Sequence, residues 1–465
     1  MRAMNAAIVI LSLAAVACSA SAQRTPSQKV FLCYWASWSH YRVGNGKFSA
    51  KQMESTPCTH LIYAYAKIMN GVIAPMDPHL EIQGNGMYRR FNALKRSSRG
   101  LKTLISVGGW TEGSQRFSKM ASSQRGRRTF VDSVERFLDR HGFDGIDIDW
   151  RYPTQRGGSS EDKENFALLL EDLRGTMDKK HRTLTVTVPA LKQTISAAYD
   201  VSELSKHVDF MSVTAFDLFG PWNSFTGHPA PLRGRTDDSS HTLNVETSIE
   251  NWISEGVDVS KLVLGMPLYG RTYTLEDPSE HGFNAPTSGP GKSGPFTKEA
   301  GMLGYNEICT FLSSRGWDVT RDPDVNAPVM VKGDQWIGFD DAGSLTKKVE
   351  LALQKGLAGA MVWSIDTDDF RGQCGWEKNP LLEAIRKALK LNTDETDPRT
   401  RAPTGLPCKT ETREKFTCTK EGFFSRPVSD RRYIQCVKRG GRLEAREMEC
   451  PSGTVFDEMS AKTRE

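Results

Sequence analysis

No Asn-x-Ser/Thr triplet occurs anywhere in the chain, so N-glycosylation is not expected. No two cysteines have the C-x-x-C spacing of a thiolate metal site, and no metal or other cofactor is expected. Charge of one sign is not in excess either. A formal net charge of +5 over 465 residues implies solubility and gives no warrant for a nucleic-acid partner. Long apolar runs are also missing. Beyond residue 22 no segment approaches the roughly 20 apolar residues of a membrane-spanning helix, so no membrane anchor is expected.

What is present points outward from the cell. Arg2, an apolar stretch over residues 6–16 and Ala20-Ser21-Ala22 before Gln23 read as a secretory signal covering 1–22, and a secreted, extracellular protein is the expectation. Of nine cysteines, Cys18 lies in that signal. The remaining even set suggests disulfides in an exported chain. A composition of 38% hydrophobic and 25% charged residues is that of a folded protein.

Acidic and apolar residues alternate over 143–153, Phe143-Asp144-Gly145-Ile146-Asp147-Ile148-Asp149-Trp150-Arg151-Tyr152-Pro153. In a strand, Asp147, Asp149 and Arg151 point one way and Ile146, Ile148 and Trp150 the other. An ordinary half-solvated strand alternates in the same way. Here, however, amphipathic helical patterns flank the stretch, one closed by Gly142 and one opening after Ser159. That rhythm belongs to a parallel α/β sheet with both faces covered, where acids are paired or line a cavity.

Seven further apolar strands are expected at 30–34, 59–65, 101–110, 184–189, 208–216, 262–269 and 357–365. Eight strands separated mostly by helical patterns predict an α/β fold, a (β/α)8 TIM barrel spanning 23–390. The wide gap at 275–355 predicts an α+β insertion between strands 7 and 8. A linker is expected at 391–407. Residues 408–465 are too few for a self-sufficient core and carry half of the mature cysteines, which predicts a small disulfide-held C-terminal module.

Four motifs in this order resemble glycoside hydrolase family 18, the chitinases and chitinase-like lectins: Ser106-Val107-Gly108-Gly109-Trp110, Asp144-x-x-Asp147-x-Asp149-x-Arg151, Met266-Pro267-Leu268-Tyr269-Gly270-Arg271 and Gly359-Ala360-Met361-Val362-Trp363-Ser364. The resemblance implies a cleft for chitin or chitooligosaccharides and disulfides Cys33–Cys58 and Cys309–Cys374; a monomer is expected. The tail is similar to a peritrophin-A-type chitin-binding module (Phe416-Thr417-Cys418, Gly422-Phe423-Phe424, Tyr433-Ile434-Gln435-Cys436, Cys450-Pro451-Ser452-Gly453). Asp430 and Thr463 stand where that module has cysteines. It is incomplete: Cys418 still has Cys436, and the pairing of Cys408 and Cys450 stays open.

Family members hydrolyse chitin with the substrate's own acetamido group as nucleophile, so the protein must supply a proton donor and stabilise a charged ring. By the resemblance, the donor is a glutamate ending the D-x-x-D-x-D-x-E row, poised by the aspartates before it. Here that position is Arg151, which cannot give up a proton near neutral pH and is expected to pair with Asp149, while Asp144, Asp147 and Asp149 keep the row. A second departure lies on the sixth strand, where Phe216 replaces the tyrosine that helps hold the acetamido group and Thr214 replaces a methionine. Asp217 remains. Phe216, Asp217, Tyr269, Arg271 and Trp363 are the substrate-binding residues that the resemblance implies; Trp110 and Trp222 are added as substrate-binding residues from their place at or just beyond predicted strand ends, where Trp38 also sits. The expectation is a chitinase-like protein, a pseudoenzyme that binds the glycan with hydrolysis absent or strongly impaired. Two alternatives stay open: an active, retaining endochitinase in which another group supplies the proton, and a growth-factor-like signalling protein on the same fold.

Overall fold

The computed structural model describes residues 29–236, 240–375 and 377–391, together with the backbone of five strands between 422 and 464. Eight parallel strands, Val30–Ala36, His60–Met69, Lys102–Gly108, Gly145–Asp149, Thr183–Pro189, Phe210–Thr214, Leu262–Pro267 and Gly359–Trp363, follow one another around a barrel. The first strand pairs with both the second and the eighth, which closes it. A short strand, Val72–Pro75, adds antiparallel to the second.

The fourth strand shows how local pattern becomes barrel geometry. Its outward residues Ile146, Ile148 and Trp150 are at most 1% exposed. Trp150 stacks on Phe117 at 5.0 Å, meets Phe166 edge-on at 5.4 Å and donates its indole N–H to Ser114 Oγ at 3.0 Å. The indole therefore fills the layer between strand and helices without leaving its donor unpaired. Helix Gln124–His141 delivers the chain to this strand. Ser123 caps its N-terminus by accepting from the Gly126 N–H, and Gly142 ends it at φ 80, a left-handed conformation that costs glycine little. Helix Asp162–Met177 carries the chain away.

The insertion begins and ends earlier than the sequence suggested. Strand Tyr269–Leu275 leaves the seventh barrel strand after Leu268 and already belongs to the lobe's antiparallel sheet, with Thr287–Pro290, Met302–Gly304, Asp318–Arg321, Pro328–Lys332 and Gln335–Gly338. Helix Ala342–Gln354, inside the expected 275–355 segment, instead buries Leu345, Val349, Leu351 and Ala352 in the barrel core. Its apolar stripe matches the outer face of the barrel, so it is the barrel's own helix before the eighth strand.

Disulfides join Cys33 to Cys58 and Cys309 to Cys374. Residues 401–465 form a separate unit, in which Gly422–Arg426, Ser429–Arg439 and Arg442–Glu449 make one antiparallel sheet and Val455–Asp457 pairs with Lys462–Arg464. The expected signal at 1–22, residues 392–407 of the expected linker, and Cys408, Cys418 and Cys450 lie outside the described residues, as does the side chain of Cys436. No helix among the described residues is long and apolar enough to cross a membrane.

Candidate active site

Strand register sets Ser106, Asp147 and Thr185 side by side in the lumen. Ser106 Oγ donates to Asp147 Oδ2 at 2.6 Å, and Thr185 Oγ1 to Oδ1 at 2.8 Å. Thr187 Oγ1 adds a longer contact to Oδ2 at 3.3 Å and is itself bonded to the Tyr34 hydroxyl at 2.9 Å. Asp147 is wholly buried. Burial, followed by the charge of Asp149, pushes its carboxyl up to about 6, although the hydroxyl donors pull the other way.

One layer nearer the barrel mouth, Asp149 has both oxygens occupied. Arg151 Nε donates to Oδ1 at 2.6 Å and Nη2 to Oδ2 at 3.0 Å, while the Tyr65 hydroxyl donates to Oδ2 at 2.9 Å. The side chain of Asp149 is 0% exposed and that of Arg151 16%. Burial alone would lower the basicity of Arg151, but the charge of Asp149, joined by Tyr65, outweighs it and lifts the guanidinium above its ordinary value. Burial, then Asp149, likewise raises the Tyr65 phenol well above its ordinary value. Arg151 thus stays a cation at any pH the fold survives, and it offers no transferable proton.

Asp144 is not a member of this row. It lies three residues before Asp147, where a period of two places it on the opposite face, and it precedes the strand itself. Lys95 Nζ binds both of its oxygens at 2.9 Å, and the Thr103 N–H donates to it at 2.8 Å. It anchors the start of the fourth strand, at the end of the barrel away from Arg151. The expected row of three supporting acids is therefore a pair, Asp147 and Asp149.

The Gly108-Gly109 step has a packing cause. Gly109, at φ 86, would bring a Cβ to 2.7 Å from the Tyr65 ring, and Gly108, at φ 114, would bring one to 2.2 Å from the Asp149 carbonyl. Only a chain without side chains there lets Tyr65 reach Asp149. Tyr65 in turn stacks near Trp363 at 5.7 Å, and Trp38 lies 6.0 Å from Trp363 with 49% of its own surface exposed. Tyr34 completes this aromatic group at 5.8 Å from Trp363.

Trp110 is 59% exposed, and the Arg156 guanidinium lies over its ring at 3.9 Å. Arg156 Nη1 also donates to the carbonyls of Trp110 at 2.8 Å and Arg151 at 3.0 Å, tying the two strand ends together. Beyond the sixth strand, buried Phe216 meets Tyr269 edge-on at 6.4 Å. Thr214 turns its hydroxyl to the Val188 carbonyl at 3.0 Å. Arg271 forks onto Asp217 at 2.8 and 2.9 Å, and its guanidinium lies 5.2 Å from the rings of both Tyr269 and Trp222. Trp222 is 59% exposed.

Tyr65 and Arg156 were missing from the residues picked out in the sequence. Tyr65 carried a signal, since it ends an apolar strand at the height of the motif's glycines. Arg156 carried none, because a loop has no period. A possible metal group, Cys309, Cys374 and Asp369, has its ligand atoms within 4.8 Å of one another. Its thiols are joined in the disulfide and Asp369 accepts the N–H groups of Gln373 and Cys374 at 2.9 Å each, so the donor set does not fit a metal.

The comparisons with known proteins agree with this fold. The model of glycosyl hydrolases family 18 matches residues 30–368. Chitotriosidase-1 of Mus musculus is 35% identical, with 91% of this chain and 93% of the relative covered. The Group IV chitinase of Ostrinia furnacalis, solved with allosamidin, superposes with a TM-score of 0.76 at 39% identity over 78% of this chain and 99% of its own. Human YKL-39, described as a pseudo-chitinase with retained chitooligosaccharide binding properties, does so with a TM-score of 0.72 at 37% identity over 78% of this chain and 100% of its own. Barrel, motifs and relatives lead to one assignment: the chain belongs to family 18 of the glycosyl hydrolases.

Proposed function

We propose that this protein binds chitin or chitooligosaccharides in its cleft and hydrolyses them poorly or not at all. One observation carries the reading: the residue at the proton donor's place is Arg151, forked onto a fully buried Asp149. Substrate-assisted hydrolysis needs a group that protonates the departing oxygen and then accepts a proton from water. Arg151 can do neither. Asp149, held by Arg151 and Tyr65 through both oxygens, is not free to turn toward Asp147 and share its proton. Phe216 brings no hydroxyl to hold an acetamido group. General acid catalysis alone is worth about 10²- to 10⁴-fold, and lost positioning deepens the deficit.

Binding needs other groups, and these are retained. Trp363 and Trp38 offer ring faces for apolar sugar faces and are backed by the buried Tyr65 ring, Trp110 and Trp222 are well exposed, and Asp217, Tyr269 and Arg271 supply polar anchors. Two relatives at similar identity illustrate both outcomes on this fold, a chitinase and a pseudo-chitinase that keeps its chitooligosaccharide. We assign the N-terminus to export and the tail to a degenerate peritrophin-A-type module, both from the sequence.

The test is turnover of a fluorogenic chitooligosaccharide by the purified protein, by Arg151→Glu and by Arg151→Glu combined with Phe216→Tyr. The natural chain is expected at background and the double variant above the single one, because proton donor and acetamido positioning act together. Substantial turnover by the natural chain overturns the proposal. Titration of tryptophan fluorescence with chitohexaose reports binding, and no response at millimolar ligand overturns that half.

A further inference from the structure

Residues 82–131 contain eleven lysines and arginines against a single acid, Glu112, although the whole chain carries only +5, so the rest of the chain is net acidic. The fold places four of these eleven, Arg89, Arg96, Arg99 and Arg128, on two neighbouring elements, joined there by Arg136 and Arg140 from just beyond the segment. Helix Met87–Ala93 and the turn after it expose Arg89, Arg96 and Arg99, and the outer face of helix Gln124–His141 exposes Arg128, Arg136 and Arg140. The two elements are joined at their ends, where Asn92 Nδ2 donates to the His141 carbonyl at 3.0 Å and Lys95 Nζ to the Gly142 carbonyl at 2.7 Å.

None of these six arginines forms an ion pair among the described residues, whereas nearby cations are neutralised: Lys95 by Asp144, Arg127 by Asp172, and Lys180 and Arg182 by Asp139. On this helix Asp132 lies four residues from both Arg128 and Arg136, and Asp139, already bound by Lys180 and Arg182, faces the same side, so Arg136 and Arg140 are the adjacent like charges. The stripe from Arg128 to Arg140 runs about 18 Å along the helix. Arg136 and Arg140, one turn apart and without an ion-pair partner among the described residues, repel one another and destabilise the fold slightly, and a polyanion laid along them removes that cost and releases its own counterions.

We propose that this face is a second binding surface, separate from the cleft, for a linear sulfated polysaccharide. All six cations are arginines, whose planar forks match the oxygens of a sulfate group better than lysine does. A row rather than a pocket suits a chain that repeats its charges. Two disulfides mark an oxidising compartment, where sulfated glycans are available and nucleic acid is scarce.

The test measures affinity of the full chain for heparin across a salt series, beside the triple variant Arg96→Ala, Arg136→Ala, Arg140→Ala and a control triple variant at exposed lysines elsewhere, Lys51→Ala, Lys192→Ala, Lys378→Ala. The natural chain and the control are expected to bind alike. The arginine variant should lose about tenfold or more near physiological salt, and its slope of log affinity against log salt should shrink by about one per arginine removed. Its response to chitohexaose should be unchanged. The proposal is overturned if the natural chain does not bind heparin, if the control variant loses as much, or if duplex DNA or phosphatidylserine vesicles bind at least as tightly.

Discussion

Arg151 grips Asp149 through Nε at 2.6 Å and Nη2 at 3.0 Å, and Arg271 grips Asp217 through the same two nitrogens at 2.8 and 2.9 Å. Their surroundings differ. Asp149 is 0% exposed and also takes the Tyr65 hydroxyl, so the first fork is closed inside the lumen. Asp217 is 33% exposed, on a residue with φ 56 beyond the sixth strand, and its partner Arg271 lies against Trp222 and Tyr269. The same fork therefore immobilises a carboxylate in one place and presents a polar anchor beside exposed aromatic surface in the other. Desolvation decides which, because it sets the cost of parting the pair.

The largest expected effect comes from breaking the closed fork. Arg151→Ala leaves a buried, unpaired Asp149 and should cost about 3–5 kcal/mol in urea denaturation. A loss below about 1 kcal/mol would mean that Asp149 is solvated after all, and the contrast with Arg271 would vanish.

Next is the layer beneath. Asp147 titrates at about 6 in the folded protein, above its ordinary value near 3.9 when unfolded, so the folded state holds the extra proton between these two values. Its stabilising contribution is complete below about pH 4 and is lost as pH rises through about 6, a change of roughly 3 kcal/mol at most. Asp147→Asn should flatten that part of the stability profile, and an unchanged slope would assign it to another group. Tyr65→Phe removes one donor from Asp149 and should cost about 2 kcal/mol, leaving the Arg271 fork untouched. Finally, Arg271→Ala should cost only about 1 kcal/mol of stability yet weaken chitohexaose about tenfold in the fluorescence titration. If stability fell more than affinity, the rim fork would be structural like the inner one.

Much of the inner site could be read from residue types. Asp147, Asp149 and Arg151 share a face because a strand has period two, and that rule needs nothing beyond the neighbouring residues. Asp144 was misread because a motif spells it in the same row although its parity and place before the strand put it elsewhere. Tyr65 lies 84 residues from Asp149, and no local pattern encodes a contact of that span. The lobe boundary slipped at both ends for a related reason: the place of Tyr269–Leu275 is set by its sheet pairing and that of helix Ala342–Gln354 by its packing on the barrel, and neither is a local property.

The amino-acid order by itself determined the barrel, through eight apolar strands in a repeating rhythm, and that an arginine, Arg151, ends the acidic row, since chemical identity at a motif position does not depend on the fold around it. Tertiary structure alone decided that both oxygens of Asp149 are occupied, that Asp144 stands apart, and that two arginine-bearing segments, 87–99 and 124–141, meet at their ends. Burial, long-range hydrogen bonds and the merging of charges on a surface all arise from segments distant in the chain, which backbone periodicity cannot bring together.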